Sequence, residues 1–214
     1  MPVEVKICGI TSEEAMEAAV EAGADYVGLV FFPPSPRALT PARAAELVQF
    51  LPDDIVTVGL FVDADDALLD VVLRECRLDL LQCHGSESPE RLEAIRLEYG
   101  VPVMKSIAVS EPADLAAAEP YLAVADRLLF DARPPKGALL PGGNAVTFDW
   151  RLLAGRKWGL PWMLAGGLTP TNVAEAIRIT GARAVDVSSG VESAPGIKDP
   201  AAIHAFISAV KGTK

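Results

Sequence analysis

Three side chains able to carry a proton sit in or just after short apolar runs. Cys8 follows Val5-Lys6-Ile7, Asp131 follows Leu128-Leu129-Phe130, and Asp186 lies within Ala184-Val185-Asp186-Val187. Lys6 shares an alternating face with Cys8, and a nearby ammonium favours the thiolate, the form that acts as a base. Without such a neighbour, a strand cysteine is usually a small core hydrophobe, which is the role read for Cys76 and Cys83. At the end of so apolar a run, desolvation is expected to keep a proton on Asp131 near neutrality, as a general acid requires. Its alternative role is to cap the following loop. Asp186 could serve as a second acid or as an orienting acceptor.

Two glycine- and serine-rich turns suggest where an anion would sit. Ala165-Gly166-Gly167-Leu168 follows residues 162–164, and Ser188-Ser189-Gly190-Val191-Glu192 follows residues 184–187. Glycine lets backbone N–H groups approach an anion, and a helix start adds unsatisfied donors. Thr169 and Pro170, then Ala174, Ala176, Ile177 and Ile179, give the first turn such a start. On neighbouring parallel strands, Gly166, Gly167, Ser188, Ser189 and Gly190 would form a phosphate cup. Arg37 ends the stiff segment Phe31-Phe32-Pro33-Pro34-Ser35-Pro36-Arg37, which suits a fixed guanidinium for a carboxylate. Following the second strand, it is expected across the mouth from the cup. His84, in Gln82-Cys83-His84-Gly85, could contact substrate or cap its loop. His84 and His204 are the two histidines, so no histidine-rich metal site is expected.

These residues must be brought together by strands. β-rich runs at 3–7, 26–31, 55–61, 78–82, 102–107, 127–131, 162–164 and 184–187 alternate with helical periods, as at 12–22, 41–50, 64–75 and 89–99. Eight such units predict one α/β domain over residues 1–214, a (β/α)₈ barrel with a parallel eight-stranded sheet inside its helices. A doubly wound open sheet is the alternative. Strand alternation turns Val5, Ile7, Leu128, Phe130, Val185 and Val187 toward the helices. Lys6, Cys8, Leu129, Asp131, Asp186 and Ser188 then face inward. The glycine- and proline-rich loop from 132 to 146 reads as a lid or as slack.

Composition narrows the partners. The net charge is −10 and no Lys/Arg cluster appears, which argues against nucleic acid. An anionic ligand must therefore be met by backbone donors and a few placed cations. Three cysteines in 214 residues make no disulfide framework and fit a reducing, cytoplasmic setting. No secretory leader is evident at Met1-Pro2-Val3-Glu4, and no apolar run reaches the roughly 18–20 residues that cross a bilayer. The expected partner is a small molecule, bound by a monomer or homodimer.

An ordered set of segments carries a family resemblance over essentially the whole chain. Lys6-Ile7-Cys8-Gly9-Ile10, Ser35-Pro36-Arg37, Gln82-Cys83-His84-Gly85, Phe130-Asp131 and Gly142-Gly143 come first. Phe148-Asp149-Trp150, Ala165-Gly166-Gly167-Leu168, residues 186–192 and Pro195-Gly196-Ile197-Lys198-Asp199 follow. Together they resemble the phosphoribosylanthranilate isomerases of tryptophan biosynthesis. The resemblance implies a (β/α)₈ barrel, no cofactor, Cys8 as general base and Asp131 as general acid. It also implies Arg37 as the grip on an anthranilate carboxylate, with the two turns around the phosphate. The lid departs from the family's Gly-Gly-Thr-Gly at Gly143-Asn144-Ala145, and Cys83 replaces an apolar residue. Another phosphosugar isomerase or epimerase barrel, or a non-catalytic phosphate-binding barrel, are the alternatives. The related isomerase of histidine biosynthesis would be expected to use paired aspartates, whereas the first strand here offers Cys8.

Overall fold

The computed structural model describes residues 2–49, 51–135, 137–138, 140–143 and 146–213. Eight parallel strands close into a barrel in chain order, which excludes the open doubly wound sheet. They are β1 Glu4–Cys8, β2 Tyr26–Val30, β3 Val56–Phe61 and β4 Leu80–Cys83, then β5 Val103–Val109, β6 Arg127–Ala132, β7 Trp162–Leu164 and β8 Ala184–Val187. Each expected strand is present, displaced by at most two residues at either end.

Helix starts follow one local rule. Ser12, Thr40, Asp65, Ser88 and Asp199 each accept a backbone N–H and so begin α1 Glu13–Ala22, α2 Pro41–Val48, α3 Asp66–Glu75, α4 Pro89–Tyr99 and α6 Pro200–Lys211. Proline occupies the first helical position in α2, α4 and α6, where its missing N–H costs nothing. The helix expected over 41–50 is thus described to Val48; Phe50 lies outside the described residues.

The second half departs from the regular repeat. A 3₁₀ helix, Pro112–Tyr121, stands where an α-helix would link β5 and β6, and Pro120 lies inside it. α5, Val173–Thr180, starts later than Thr169-Pro170 suggests. Its buried face is Val173, Ala176, Ile177 and Thr180, with Ala174 exposed. After β8 the chain makes a single 3₁₀ turn, Ser189–Val191, rather than entering a helix. It then forms an antiparallel hairpin of β9 Glu192–Ala194 and β10 Ile197–Lys198.

Side-chain alternation sorts the interior as expected. Tyr26, Val58, Leu80, Met104, Leu129, Met163, Ala165 and Ala184 fill the barrel as a cluster of their own. Val5, Ile7, Leu128, Phe130, Val185 and Val187 pack in the larger cluster beneath the helices, together with Cys76 and Cys83. The same register sets Lys6 beside Asp186 inside the barrel.

Candidate active site

An open mouth, enclosing about 800 Å³ with its solvent-open space counted in, lies at the C-terminal end of the strands. Cys8, Arg37, His84, Asp131, Gly166, Gly167, Asp186, Ser188, Ser189 and Gly190 all line it. The strand ends and two turns thus bring every candidate to one place.

The two turns are built for close backbone packing. Gly166 and Gly167 have φ of +89° and +63°, where a side chain would be strained. A Cβ on Gly190 would fall on the carbonyl oxygen of Leu168, so the β8 turn can lean onto the β7 turn as glycine alone permits. Asn172 ties the β7 turn, accepting from Thr169 N at 2.8 Å and donating to Gly167 O at 2.9 Å. Among the described residues, the N–H groups of Gly166, Gly167, Ser189 and Gly190 have no protein acceptor. Among the described residues, no lysine lines this part of the cavity.

Arg37 is held by more than its prolines. Its Nε and Nη2 donate to the two carboxylate oxygens of Glu192 at 2.7 and 2.8 Å. Nη2 also approaches Gly143 O at 3.5 Å, and Arg37 lines the cavity. Glu192 accepts from buried Lys198 at 2.7 Å as well, and Lys198 Nζ donates to Ser188 O at 3.0 Å. Burial opposes the Glu192 charge, but Arg37 and Lys198 outweigh it and hold the carboxyl below its usual range. Arg37 is therefore not across the mouth from the cup. Closure of the barrel sets β2 one strand from β1 and two from β8, so its loop abuts the segment after β8. A Cβ on Gly196 would lie 2.5 Å from Pro36 O, another mark of that contact.

At the bottom of the mouth, Lys6 is fully buried. Its ammonium donates to Gln82 Oε1 at 2.8 Å and Asp186 Oδ1 at 3.0 Å. Although burial opposes its charge, Asp186 and Cys8 raise Lys6 above its ordinary value. For Cys8 the balance differs from the sequence expectation. Burial pushes the thiol up, the pull of Lys6 only partly offsets this, and Asp186 adds to the rise.

Asp131 Oδ1 accepts from Ala132 N at 2.8 Å, and its Oδ2 lies 3.3 Å from His84 Nε2. Gln82 Nε2 stands 2.8 Å from His84 Nδ1. Gly142 passes directly over this pair: a Cβ there would fall 2.7 Å from His84 Nε2 and 3.0 Å from Asp131 Oδ2. A Cβ on Gly143 would lie 2.6 Å from Arg37 Nη1. The described part of the 132–146 loop thus covers the site. Asn144 and Ala145, where the lid departs from its family, lie outside the described residues. Among the described residues, no group of three metal-ligating side chains is present.

Residues 5–209 match the family model for N-(5'phosphoribosyl)anthranilate (PRA) isomerase. The chain belongs to the phosphoribosylanthranilate isomerase family. It is 77% identical over 212 residues to the N-(5'-phosphoribosyl)anthranilate isomerase of Paramagnetospirillum magneticum, covering 99% of each chain. Among solved structures it is similar to the Thermotoga maritima phosphoribosyl anthranilate isomerase, with TM-score 0.88 and 38% identity, covering 98% of this chain and 99% of that one. A second isomerase structure holds reduced 1-(o-carboxyphenylamino)-1-deoxyribulose 5-phosphate. It matches with TM-score 0.85 and 36% identity over 98% of this chain and 99% of that one.

Within this isomerase fold, sequence reasoning missed the supports of the site. Glu192 and Lys198 stand in the segments that carried the resemblance, yet isolated charges on a loop reveal no partner. Gln82 offered a better signal, since it lies two residues before His84 and so shares its strand face.

Proposed function

We propose that this chain converts N-(5'-phosphoribosyl)anthranilate to 1-(2-carboxyphenylamino)-1-deoxyribulose 5-phosphate in tryptophan biosynthesis. Residues 1–214 act as one cytoplasmic domain, as a monomer or as each half of a homodimer. One observation carries the reading: Cys8 and Asp131 open into the same cavity as two bare-amide turns and an anchored guanidinium.

The chemistry is an Amadori rearrangement. Asp131 gives a proton to the ribose ring oxygen as the C1′–O bond breaks, and the anilino nitrogen's lone pair forms the C1′ iminium. The iminium acidifies C2′–H, and the Cys8 thiolate removes that proton. The C–H electrons become the C1′–C2′ double bond of an enolamine. Loss of the O2′ proton and protonation at C1′ then give the ketone. All electrons stay within the substrate, so the steps call for no redox cofactor. The phosphate is held by N–H groups of Gly166, Gly167, Ser189 and Gly190, and the aryl carboxylate by the Nη1 end of Arg37. Asp186 orients Lys6, whose ammonium steadies the thiolate. In a mixture with phosphoribosylanthranilate made in situ, the protein should extinguish anthranilate-type fluorescence as product forms. Persistent fluorescence with folded protein would reject this activity.

Arg37→Lys tests the carboxylate grip. A lone ammonium would turn to Glu192 and leave the substrate without a donor. A charge-assisted hydrogen bond of about 1.5–3 kcal/mol corresponds to roughly a 10- to 100-fold rise in KM. An unchanged KM and kcat would remove Arg37 from substrate recognition.

A further inference from the structure

Polar side chains form one line across the barrel: Asp186, Lys6, Gln82, His84, Asp131. The first four are hydrogen-bonded in turn at 3.0, 2.8 and 2.8 Å, and His84 Nε2 approaches Asp131 Oδ2 at 3.3 Å. The link between Lys6 and Gln82 fixes the order of those that follow. A lysine ammonium only donates, so the Gln82 atom facing it must be the carbonyl oxygen. The amide nitrogen then faces His84 and donates to Nδ1. That nitrogen must be an acceptor, so the imidazole proton resides on Nε2.

Nε2 is the ring atom beside Asp131 Oδ2. We infer that Lys6 and Gln82 lock His84 in the Nε2–H tautomer, and that this N–H, 3.3 Å from Asp131 Oδ2 and 3.5 Å from Ser106 Oγ, keeps the transferable proton of Asp131 off the His84 side and toward the mouth. A carboxylic acid whose proton lay between Oδ2 and Nε2 would meet a proton already there. Ala132 N–H occupies an Oδ1 lone pair in the same way. What remains for the acidic proton is the side that faces substrate. Gln82 and His84 are thus positioning residues that act through Asp131. Gly142 fits the same arrangement, because a side chain there would press on both members of the final pair. The inference rests on Asp131 being the acid of the proposed reaction.

Long-range ¹H–¹⁵N correlation spectra of the full chain read the tautomer directly. His204, exposed on α6, gives the other imidazole signals, and His204→Gln removes them for assignment. The expected wild-type pattern for His84 is an unprotonated Nδ1 and a protonated Nε2. A protonated Nδ1 in the wild type would overturn the inference without need of any variant. Gln82→Glu keeps the acceptor for Lys6 but gives His84 a second acceptor in place of a donor. Nδ1 should then become protonated, and kcat should fall roughly 10- to 100-fold, the scale of a misplaced reacting group. Binding of reduced product, by calorimetry, should stay within about twofold, since the cup and Arg37 are untouched. Either an unchanged Nδ1 signal or a wild-type kcat in that variant also overturns it. The spectrum reports the tautomer whether or not Asp131 is the acid, and the turnover of Asp131→Asn decides that separate point.

Discussion

Cys8→Ser should lower kcat by about 10²–10⁴, the usual worth of a general base, while reduced product still binds. Serine is nearly isosteric, but its hydroxyl scarcely ionises in water near neutrality. The thiol, by contrast, starts from an ordinary value of about 8.5. Here burial carries that value upward against the pull of Lys6. The sign of the pH dependence follows. The base is the ionised form, and a raised pKa means that its population still grows with pH above the ordinary thiol range. For the parent enzyme, kcat/KM should therefore climb on the alkaline side, with its midpoint above that of a free thiol. The serine variant should lose this limb. Stopped-flow fluorescence across pH measures both effects. A variant with near-parental turnover, or a parent whose limb lies below the ordinary thiol range, would remove Cys8 from the role of base.

Asp131→Asn is expected to cost about as much, roughly 10²–10⁴ in kcat, because the ring oxygen loses its proton donor. The site makes asparagine a less innocent replacement than its shape suggests. Two N–H groups, of Ala132 and His84, converge on the two oxygens of Asp131 in the arrangement inferred above. An amide supplies one oxygen and one NH₂, so a donor must face a donor. Some loss of thermal stability should accompany the loss of turnover, and Asp131→Ala, which opposes neither N–H with another, separates the two effects. Retained binding of reduced product by an inactive variant, with an active parent, would also exclude a purely ligand-sensing barrel. If Asp131→Asn turned over substrate normally, the acid would have to be sought elsewhere.

The strand faces were legible in the sequence because a period of two is a local property. Lys6, Cys8, Asp131 and Asp186 could be aimed inward before any contact was known. The turns at Gly166-Gly167 and Ser189-Gly190 were legible because glycine marks positive φ and close approach. What stayed hidden depends on distant pairs. Glu192 stands 155 positions from Arg37, and no local pattern joins them. The same ignorance placed Arg37 on the wrong side of the mouth. Its loop was counted along the chain, whereas closure brings the end of β2 back toward β8. The balance at Cys8 stayed hidden for a related reason. A lysine two residues away is visible in sequence, but the depth of burial that outweighs it depends on the whole barrel.

The two glycine turns proposed to hold the phosphate offer amide dipoles, and among the described residues no lysine lines the cavity, in a protein of net charge −10. Dipoles act over a few ångströms, whereas the overall negative field reaches about a Debye length, roughly 10 Å at 0.1 M salt and 30 Å at 0.01 M. An incoming substrate with a phosphate and a carboxylate is thus repelled at long range and gripped only at contact. Ionic strength should affect these two stages unequally. Raising it from about 0.01 to 0.15 M screens the repulsion and leaves the grip largely intact. Capture, followed as kcat/KM, should accelerate with added salt, whereas a lysine-lined phosphate site would slow.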